Sequence, residues 1–523
     1  MNGAQALTRT LVDHGVDTCF MNPGTSEMHF VAALDTVTGL RGVLALFEGV
    51  ATGAADGYAR LAGRPAATLL HLGPGLGNGL ANLHNARKGH TPVVNIVGDH
   101  ATYHKQYDAQ LESDIETVAR NVSSFIRRSG SPETVAADAV DAVAAAYGPP
   151  GQVATLILPA DASWSEGGRP VARSGSWSPE TFRGAPPEPG GVSDAATALR
   201  SGEPVALLVG GRAVHGSLLD DVGRVAAATG ARLLAETFPA RLERGAGRVP
   251  VERLAYLAEF TAMQLDGLRH LVLVDAASPV SFFAYPGKPS DLVPEGCTVH
   301  RLAGPGDDAA AALAGLVEEL GCGTVAPARQ SASHRHRPSG VLTAQTVCEA
   351  LGALLPEGAI VSDEGNTAGL FAPGATAGAP PHDWLCLTGG AIGQGLPVAV
   401  GAAVACPDRR VVALEADGSA LYTLQSWWTM AREGLDVTTI ILNNRSYAVL
   451  NMELERVGAE PPGPRAKAML DLTGPDLDFR ALATGLGLHA ATATTAEEFT
   501  TALERALATP GPSVVEAMIP SSL

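Results

Sequence analysis

Short apolar runs of strand length alternate with helix-length segments through most of the chain, and this rhythm limits the fold more than any other feature. Residues 67–70, 93–97, 205–209, 271–274, 411–414 and 438–442 are rich in aliphatic side chains and lack the polar alternation of a half-solvated strand. Such strands need cover on both faces, so the pattern predicts an α/β fold of doubly wound parallel sheets. At 523 residues the chain exceeds one hydrophobic core, and roughly 150 residues per domain suggests about three. Two segments rich in Gly, Pro, Ser and Arg, 166–191 and 326–340, break the rhythm. Cutting there gives units 1–165, 190–325 and 340–523. The outer two share a local plan of helix, strand and Gly loop at 51–75 and 396–418, which common α/β construction explains as well as duplication does.

Composition narrows the function. A formal charge of −18, with the acids scattered, repels nucleic acid and anionic lipid, so neither partner is expected. Cys19, Cys297, Cys322, Cys348, Cys386 and Cys406 form no CxxC pair or close Cys/His cluster, which argues against disulfides and zinc and for a reducing cytoplasm. His334 and His336 in the second break read as a solvated basic stretch, with no third ligand near in sequence. Residues 1–15 carry Arg9 and Asp13 in a helical pattern and no apolar signal core, so export is not expected. Residues 385–406 are uncharged and long enough to suggest a membrane helix, but Gly389, Gly390, Gly393, Gly395 and Pro397 mark a loop feeding a buried helix.

The strongest chemical signal lies in the third unit. A strand runs into Glu415-Ala416-Asp417-Gly418-Ser419, a helix is predicted over 421–433 with Gly434 as its stop, and the next strand ends in Asn443-Asn444-Arg445-Ser446-Tyr447. Asp417 and Asn444 thereby stand at the carboxyl ends of neighbouring strands, where open parallel sheets bind ligands. A diphosphate needs its charge neutralised, and magnesium does this with six hard oxygens. The Asp417 carboxylate, the Asn444 amide oxygen and the Ser446 carbonyl supply three, leaving two phosphate oxygens and a water. Gly418 allows a tight turn, and the helix start at Ser419 offers amide hydrogens to phosphate. Singly, Asp-Gly-Ser is a common cap and Asn-Asn a common turn; their pairing at adjacent strand ends is the signal.

These residues resemble the thiamine diphosphate signature, usually Gly-Asp-Gly, a spacer and Asn-Asn, with Ala416 where Gly is usual. Glu48, followed by Ala54-Ala55-Asp56-Gly57-Tyr58-Ala59-Arg60, resembles the pyrimidine-domain motif of acetolactate synthases, benzoylformate decarboxylase and their relatives, with Phe47 where many have His. The likeness spans nearly the whole chain. Asn22-Pro23-Gly24-Thr25-Ser26-Glu27 resembles the loop after the first strand, and His71-Leu72-Gly73-Pro74-Gly75-Leu76-Gly77-Asn78 the Gly-rich turn over the thiazolium. Asp363-Glu364-Gly365-Asn366-Thr367 resembles the diphosphate-contacting loop, and Thr388-Gly389-Gly390-Ala391-Ile392-Gly393 the aminopyrimidine cradle.

The resemblance implies pyrimidine-binding, central and diphosphate-binding domains, thiamine diphosphate and Mg2+ as cofactors, and a small 2-oxo acid as substrate. It also implies a homodimer or homotetramer in which the first unit of one subunit meets the third unit of another at the active site. Asn366, Thr367, Gly390, Ile392, Gly418, Ser419 and Tyr447 become cofactor-binding candidates. Among them, Gly390 would accept from the amino group and Ile392 would wedge the cofactor into a bent shape. A lone Glu48 before the helix predicted over 50–61 reads as a charge at a helix N-terminus. By the resemblance it instead hydrogen-bonds the aminopyrimidine, favouring the tautomer that removes the thiazolium C2 proton, a task suited to a carboxyl in apolar surroundings.

On the substrate side, the likeness to benzoylformate decarboxylase makes His71 the proton carrier and puts Thr25 where that enzyme has Ser; His104 is a second proton candidate. Leu450 and Thr25 stand where pyruvate decarboxylases have Glu and Asp, so that aldehyde-releasing apparatus is absent. Residues 107–114 resemble the acetolactate synthase stretch near the second substrate; Arg445 could pair with a substrate carboxylate, although a solvated Arg is the more frequent outcome. Residues 282–287 suggest an apolar wall; the middle unit shows no clear flavin signal, which argues against FAD. The run 75–79 lacks dinucleotide-fingerprint spacing, which sets aside a dehydrogenase. Decarboxylation to an aldehyde or hydroxyketone, acetolactate-type ligation and a non-catalytic regulatory relative are the readings carried forward.

Overall fold

Parallel strands need long crossovers, and the helices between the apolar runs supply them. The computed structural model, which describes residues 1–173, 182, 184–333, 336–459 and 461–521, folds into three parallel-sheet α/β units. His334 lies outside the described residues. The first sheet contains β1 (Thr18–Asn22), β2 (Arg41–Leu44), β3 (Ala66–Leu70), β4 (Val93–Asp99), β5 (Phe125–Arg128) and β6 (Val153–Pro159), in the order β2-β1-β3-β4-β6-β5.

In the middle region come β7 (Val205–Val209), β8 (Arg232–Ala235), β9 (Leu242–Arg244), β10 (Glu252–Arg253), β11 (His270–Val274) and β12 (Thr298–Ala303). The middle sheet is ordered β10-β8-β7-β11-β12. The third holds β13 (Ile360–Glu364), β14 (His382–Cys386), β15 (Val411–Ala416), β16 (Val437–Asn443), β17 (His489–Ala493) and β18 (Ser513–Met518), in the order β17-β18-β16-β15-β13-β14-β9. Thus β9 leaves the middle region and pairs antiparallel with β14, setting Leu242 opposite Trp384. It covers an edge that would otherwise show unpaired backbone groups.

The third sheet divides its side chains between two cores. Val412, Leu414, Ile440 and Leu442 join a core continuous with the middle unit, whereas Val411, Ala413, Val437 and Ile441 join one continuous with the first. That alternation is the period of a strand buried on both faces. The first and third units meet where the helix Glu48–Ala62 crosses the helix Gly395–Ala405. A Cβ at Gly57 would strike the Val398 carbonyl, and one at Gly401 the Ala54 carbonyl, so the two backbones touch. Residues 385–406 accordingly divide into the end of β14, a loop and that buried helix; among the described residues no helix is long and apolar enough to cross a membrane.

Three local expectations need correction. The helix expected from residue 50 starts at Glu48, with Phe47 as its extended N-cap. The helix expected over 421–433 forms only at Ser426–Glu433, where Gly434 does stop it with φ 62°, and a separate short helix, Asp417–Ala420, precedes it. The supposed Gly-rich turn at 71–78 is the start of a helix, Leu72–Lys88. Each interior Gly costs such a helix about 1 kcal/mol against Ala. The compensation is close packing: a Cβ at Gly79 would stand 2.9 Å from Thr52 Cγ2, and one at Gly75 3.1 Å from Glu48 Oε1.

Candidate functional site

Parallel strands β15 and β16 end together, with Ala416 opposite Leu442, so their next residues enter one crevice. Asp417 is buried there, its Oδ1 accepting from the Gly418 amide (2.7 Å) and its Oδ2 from the Arg445 amide (2.6 Å). Burial pushes this carboxyl up, while the amides of Arg445, Gly418 and Asn444 pull it back towards the charged form. Asn444 Oδ1 accepts from the Ser446 amide at 3.0 Å, which closes a tight turn around the two oxygen donors. Arg445 adopts φ 58°, the left-handed conformation that turns its amide onto Asp417. Ser419 is buried, and the Tyr447 ring occupies the side of Gly418 where a Cβ would otherwise lie. One carboxylate, one amide oxygen and nearby carbonyls form a hard-oxygen donor set that fits magnesium when phosphate oxygens complete it.

Beside this crevice, Asn366 follows β13 with φ 47° and is exposed, and Thr367 is half-buried. Gly390, at φ 73°, and half-buried Ile392 belong to the loop between β14 and the helix Gly395–Ala405. Glu364 braces that loop, its two oxygens accepting from the amides of Gly393 (2.6 Å) and Gly395 (2.5 Å). Glu415, its partner in the β13/β15 register, is wholly buried, and burial next to Glu364 drives it towards the protonated form.

The first unit reaches the same loop. Asn82 Nδ2 donates to both the Gly49 carbonyl (2.7 Å) and the Gly393 carbonyl (3.1 Å), while Asn85 exchanges hydrogen bonds with the backbone of Ala391 (2.8 and 3.2 Å). Glu48, 7% exposed, is therefore held near the cradle, with Asn78 Nδ2 donating to its Oε2 at 3.0 Å. Asn82 and Asn85 were not singled out from sequence, and Asn78 only as the end of the Gly-rich run. Their spacing of four and three residues puts them on one helical face, a signal hidden while residues 71–78 are read as a turn.

His71 caps that helix and shares a 2.7 Å hydrogen bond through Nδ1 with Glu27 Oε2, which also accepts from the Gly24 amide at 2.7 Å. Glu27, quoted from the sequence only as the end of the loop after β1, had no role assigned there; burial raises its pKa, opposed by the charge of His71. Against an ionised Glu27, which can only accept, Nδ1 carries the proton of this bond and Nε2 is the ring nitrogen left to act elsewhere. Thr25 lies exposed two residues before Glu27. His104 joins a different group, its ring 5.2 Å from His100 and 5.7 Å from Tyr107. Residues 107–114 border the Gly-rich helix, where a Cβ at Gly73 would strike the Ser113 hydroxyl.

From the middle unit, Phe282 lies against Gly390, its Cζ 2.5 Å from where a Cβ would stand. Phe238, Tyr256 and Phe283 surround it at centroid distances of 5.9, 5.3 and 4.9 Å. The expected apolar wall thus borders the cradle, and Leu450 is exposed on the helix after Tyr447.

Comparison with known proteins gives the following matches. Residues 1–119 match the thiamine pyrophosphate enzyme N-terminal TPP binding domain, and residues 364–517 its C-terminal TPP binding domain. The chain is 60% identical over 522 residues to IlvX of Mycobacterium tuberculosis, covering 100% of this chain and 99% of the relative, which is named provisionally as an acetolactate synthase large subunit. It is 29% identical over 530 residues to benzoylformate decarboxylase of Pseudomonas aeruginosa, covering 96% of each. The solved thiamine diphosphate-dependent 4-hydroxybenzoylformate decarboxylase of Rhodococcus jostii superposes with a TM-score of 0.82 at 24% identity, over 99% of both chains, which shows the shared fold.

Proposed function

Because the chain belongs to the thiamine pyrophosphate-dependent enzyme family, we propose that it cleaves the bond beside the carbonyl of a 2-oxo acid with loss of CO2, giving an aldehyde or a carboligated 2-hydroxyketone. Bound thiamine diphosphate supplies the carbon nucleophile and the electron sink for this cleavage. The observation that carries the reading is the pair of neighbouring strand ends β15 and β16, where Asp417 accepts the Gly418 and Arg445 amides beside the Asn444 turn, a hard-oxygen set that fits a magnesium diphosphate. In this reading Asp417, Asn444 and the Ser446 carbonyl hold Mg2+, while Asn366, Thr367, Gly418, Ser419 and Tyr447 border the diphosphate. Gly390 and Ile392 seat the aminopyrimidine, and the Glu48 that it meets is supplied across the subunit contact. His71, oriented by Glu27, moves the proton that product release needs, with Thr25 beside it and His104 in a lesser part.

The aromatic group around Phe282 favours a 2-oxo acid with a bulky apolar substituent. Acetolactate-type ligation is the second reading, supported by the likeness to IlvX. We assign the units as 1–165, 190–325 and 340–523, with β9 lent from the middle span to the third sheet. Exposed Leu46, Tyr103, Tyr107, Leu370, Phe371, Leu421 and Tyr422 follow strand ends of the outer sheets. Such apolar side chains support a homodimer or homotetramer with the site at the subunit contact. The six unpaired thiols suit a reducing cytoplasm.

The test is a panel of 2-oxo acids, including pyruvate and benzoylformate, assayed for CO2 and products with the wild type and Glu48→Gln. The variant is expected to bind thiamine diphosphate normally and to lose about 1000-fold in CO2 release. Wild-type turnover by Glu48→Gln would refute the assignment of Glu48. Failure of the wild type to react with any 2-oxo acid would favour the non-catalytic regulatory relative.

A further inference from the structure

The helix Ala448–Arg456 follows the Asn444–Ser446 turn directly, with Tyr447 as its N-cap, and none of its residues is buried. A helix of nine residues is marginal by itself, so its placement depends on what grips it. The grip comes from the middle unit. Glu453 accepts from the Tyr285 hydroxyl at Oε2 (2.9 Å) and from the Tyr256 hydroxyl at Oε1 (3.4 Å). One turn further, the Arg456 guanidinium lies 4.5 Å from the Tyr285 ring centroid, and its Nη2 is 3.0 Å from Glu259 Oε2. Lys288 pairs with Glu259 in turn. Burial and the nearby Glu453 charge push the Tyr256 hydroxyl well up, so it remains a donor.

The two ends of the Asn444–Ser446 turn are held unequally. Its leading end leaves β16, which is paired on both sides by β15 and β18. Its trailing end has backbone bonds from Tyr447 to Leu470 and from Leu472 to Arg445, and the surrounding residues 465–476 are largely exposed. The firm anchor on that side is Glu453 between two tyrosines, of which Tyr285 is buried and Tyr256 belongs to the aromatic wall at Gly390.

We propose that Tyr256 and Tyr285 of the middle unit are positioning residues for the cation site. By gripping Glu453 they fix the helix that continues the Asn444–Ser446 turn, and so set where the Asn444 amide oxygen and the Ser446 carbonyl stand relative to Asp417. This rests on reading those three residues as the cation ligands. It gives the middle unit a part in cofactor capture that needs no ligand of its own.

The test measures the Mg2+ concentration for half-maximal activation of the full-length enzyme at saturating thiamine diphosphate, using Tyr285→Phe, Glu453→Gln and the double variant. Glu453 lies on a helix with no fully buried residue, so Glu453→Gln guards against a folding defect at Tyr285. Each single variant should need about five- to tenfold more Mg2+, from loss of one hydrogen bond to a charged group. The double variant should be no worse than Glu453→Gln alone, because that variant already weakens the bond that Tyr285→Phe removes. At saturating Mg2+, kcat should stay within about twofold of wild type, and amide exchange over residues 447–457 should quicken. An unchanged Mg2+ requirement with only a lower Tm would overturn the proposal. Asp417→Ala separates the layers: loss of Mg2+ response there with normal response in the tyrosine variants defeats the positioning role alone, whereas a normal response in Asp417→Ala defeats the cation-site reading itself.

Discussion

At the carboxyl ends of the third sheet, Asp417 draws amide hydrogens from Gly418, Arg445 and Asn444, which favour its ionised form. At the same ends of the middle sheet, Glu236 after β8 and Asp275 after β11 have one amide each, from Ala277 (2.9 Å) and Arg212 (2.7 Å). Burial carries Glu236 up to about 7 and Asp275 up to about 6. Both crevices come from parallel sheets with an acid at a strand end, and burial raises all three carboxyls, but three backbone amides oppose the rise at Asp417 where a single amide opposes it at Glu236 and at Asp275. The difference lies in how many backbone amides the turn directs at the acid, so a shared fold does not settle the chemistry. In the middle crevice both acids pack against the Gly210-Gly211 backbone, Glu236 beside Gly210 and Asp275 beside Gly211. Two acids occupy the switch point between β7 and β11, where a dinucleotide's phosphates would approach.

The contrast is tested hardest by removing each acid in turn. Asp417→Ala should cost at least about 100-fold in Mg2+-dependent CO2 release, because loss of a ligand exceeds the usual loss from its supporting partners; Asp275→Asn should stay within about threefold. Equal losses would erase the distinction. Within the first unit, His71→Ala should slow turnover by about 100-fold, and Glu27→Gln by about tenfold, since the second only disturbs the orientation of the imidazole. Stopped-flow product release would measure both, and a larger loss in Glu27→Gln would make Glu27 the proton carrier instead.

The middle acids should instead appear in stability. Because burial raises the folded pKa of Glu236, the folded state holds its proton more tightly, and stability falls as pH rises from the ordinary carboxyl value of 4.5 to about 7. Glu236→Gln should flatten that fall and gain about 1–3 kcal/mol at pH 8, as read from urea unfolding across pH. An unaltered slope in the variant would assign it to other groups. The smallest expected effect is from FAD: its addition should change neither Tm nor turnover, and co-purification of visible flavin would contradict the expectation that the two acids at the ends of β8 and β11 repel a diphosphate.

Much of this was legible along the chain. Aliphatic runs without alternation specified parallel sheets because strands covered on both faces have no polar side to show, and β4, β7, β15 and β16 appeared where those runs lie. The pairing of Asp417 with Asn444 was readable because consecutive strands in a β-α-β unit lie side by side. Asp56 and Arg60 were visible only as part of a motif. In the structure they form a buried ion pair at 2.6 Å, with Arg60 also bonded to the carbonyls of Ala240 and Cys386, so one pair ties all three units together.

Sequence by itself settled the fold class, the family and the strand ends where chemistry gathers, since these follow from local periodicity and from residues close along the chain. Only the tertiary structure decided that a Gly-rich segment is a helix facing Glu48, that Glu27 holds His71, and that Tyr256 and Tyr285 grip Glu453. Those contacts join residues far apart in sequence, and their partners are chosen by how helices and sheets pack rather than by any pattern within one segment.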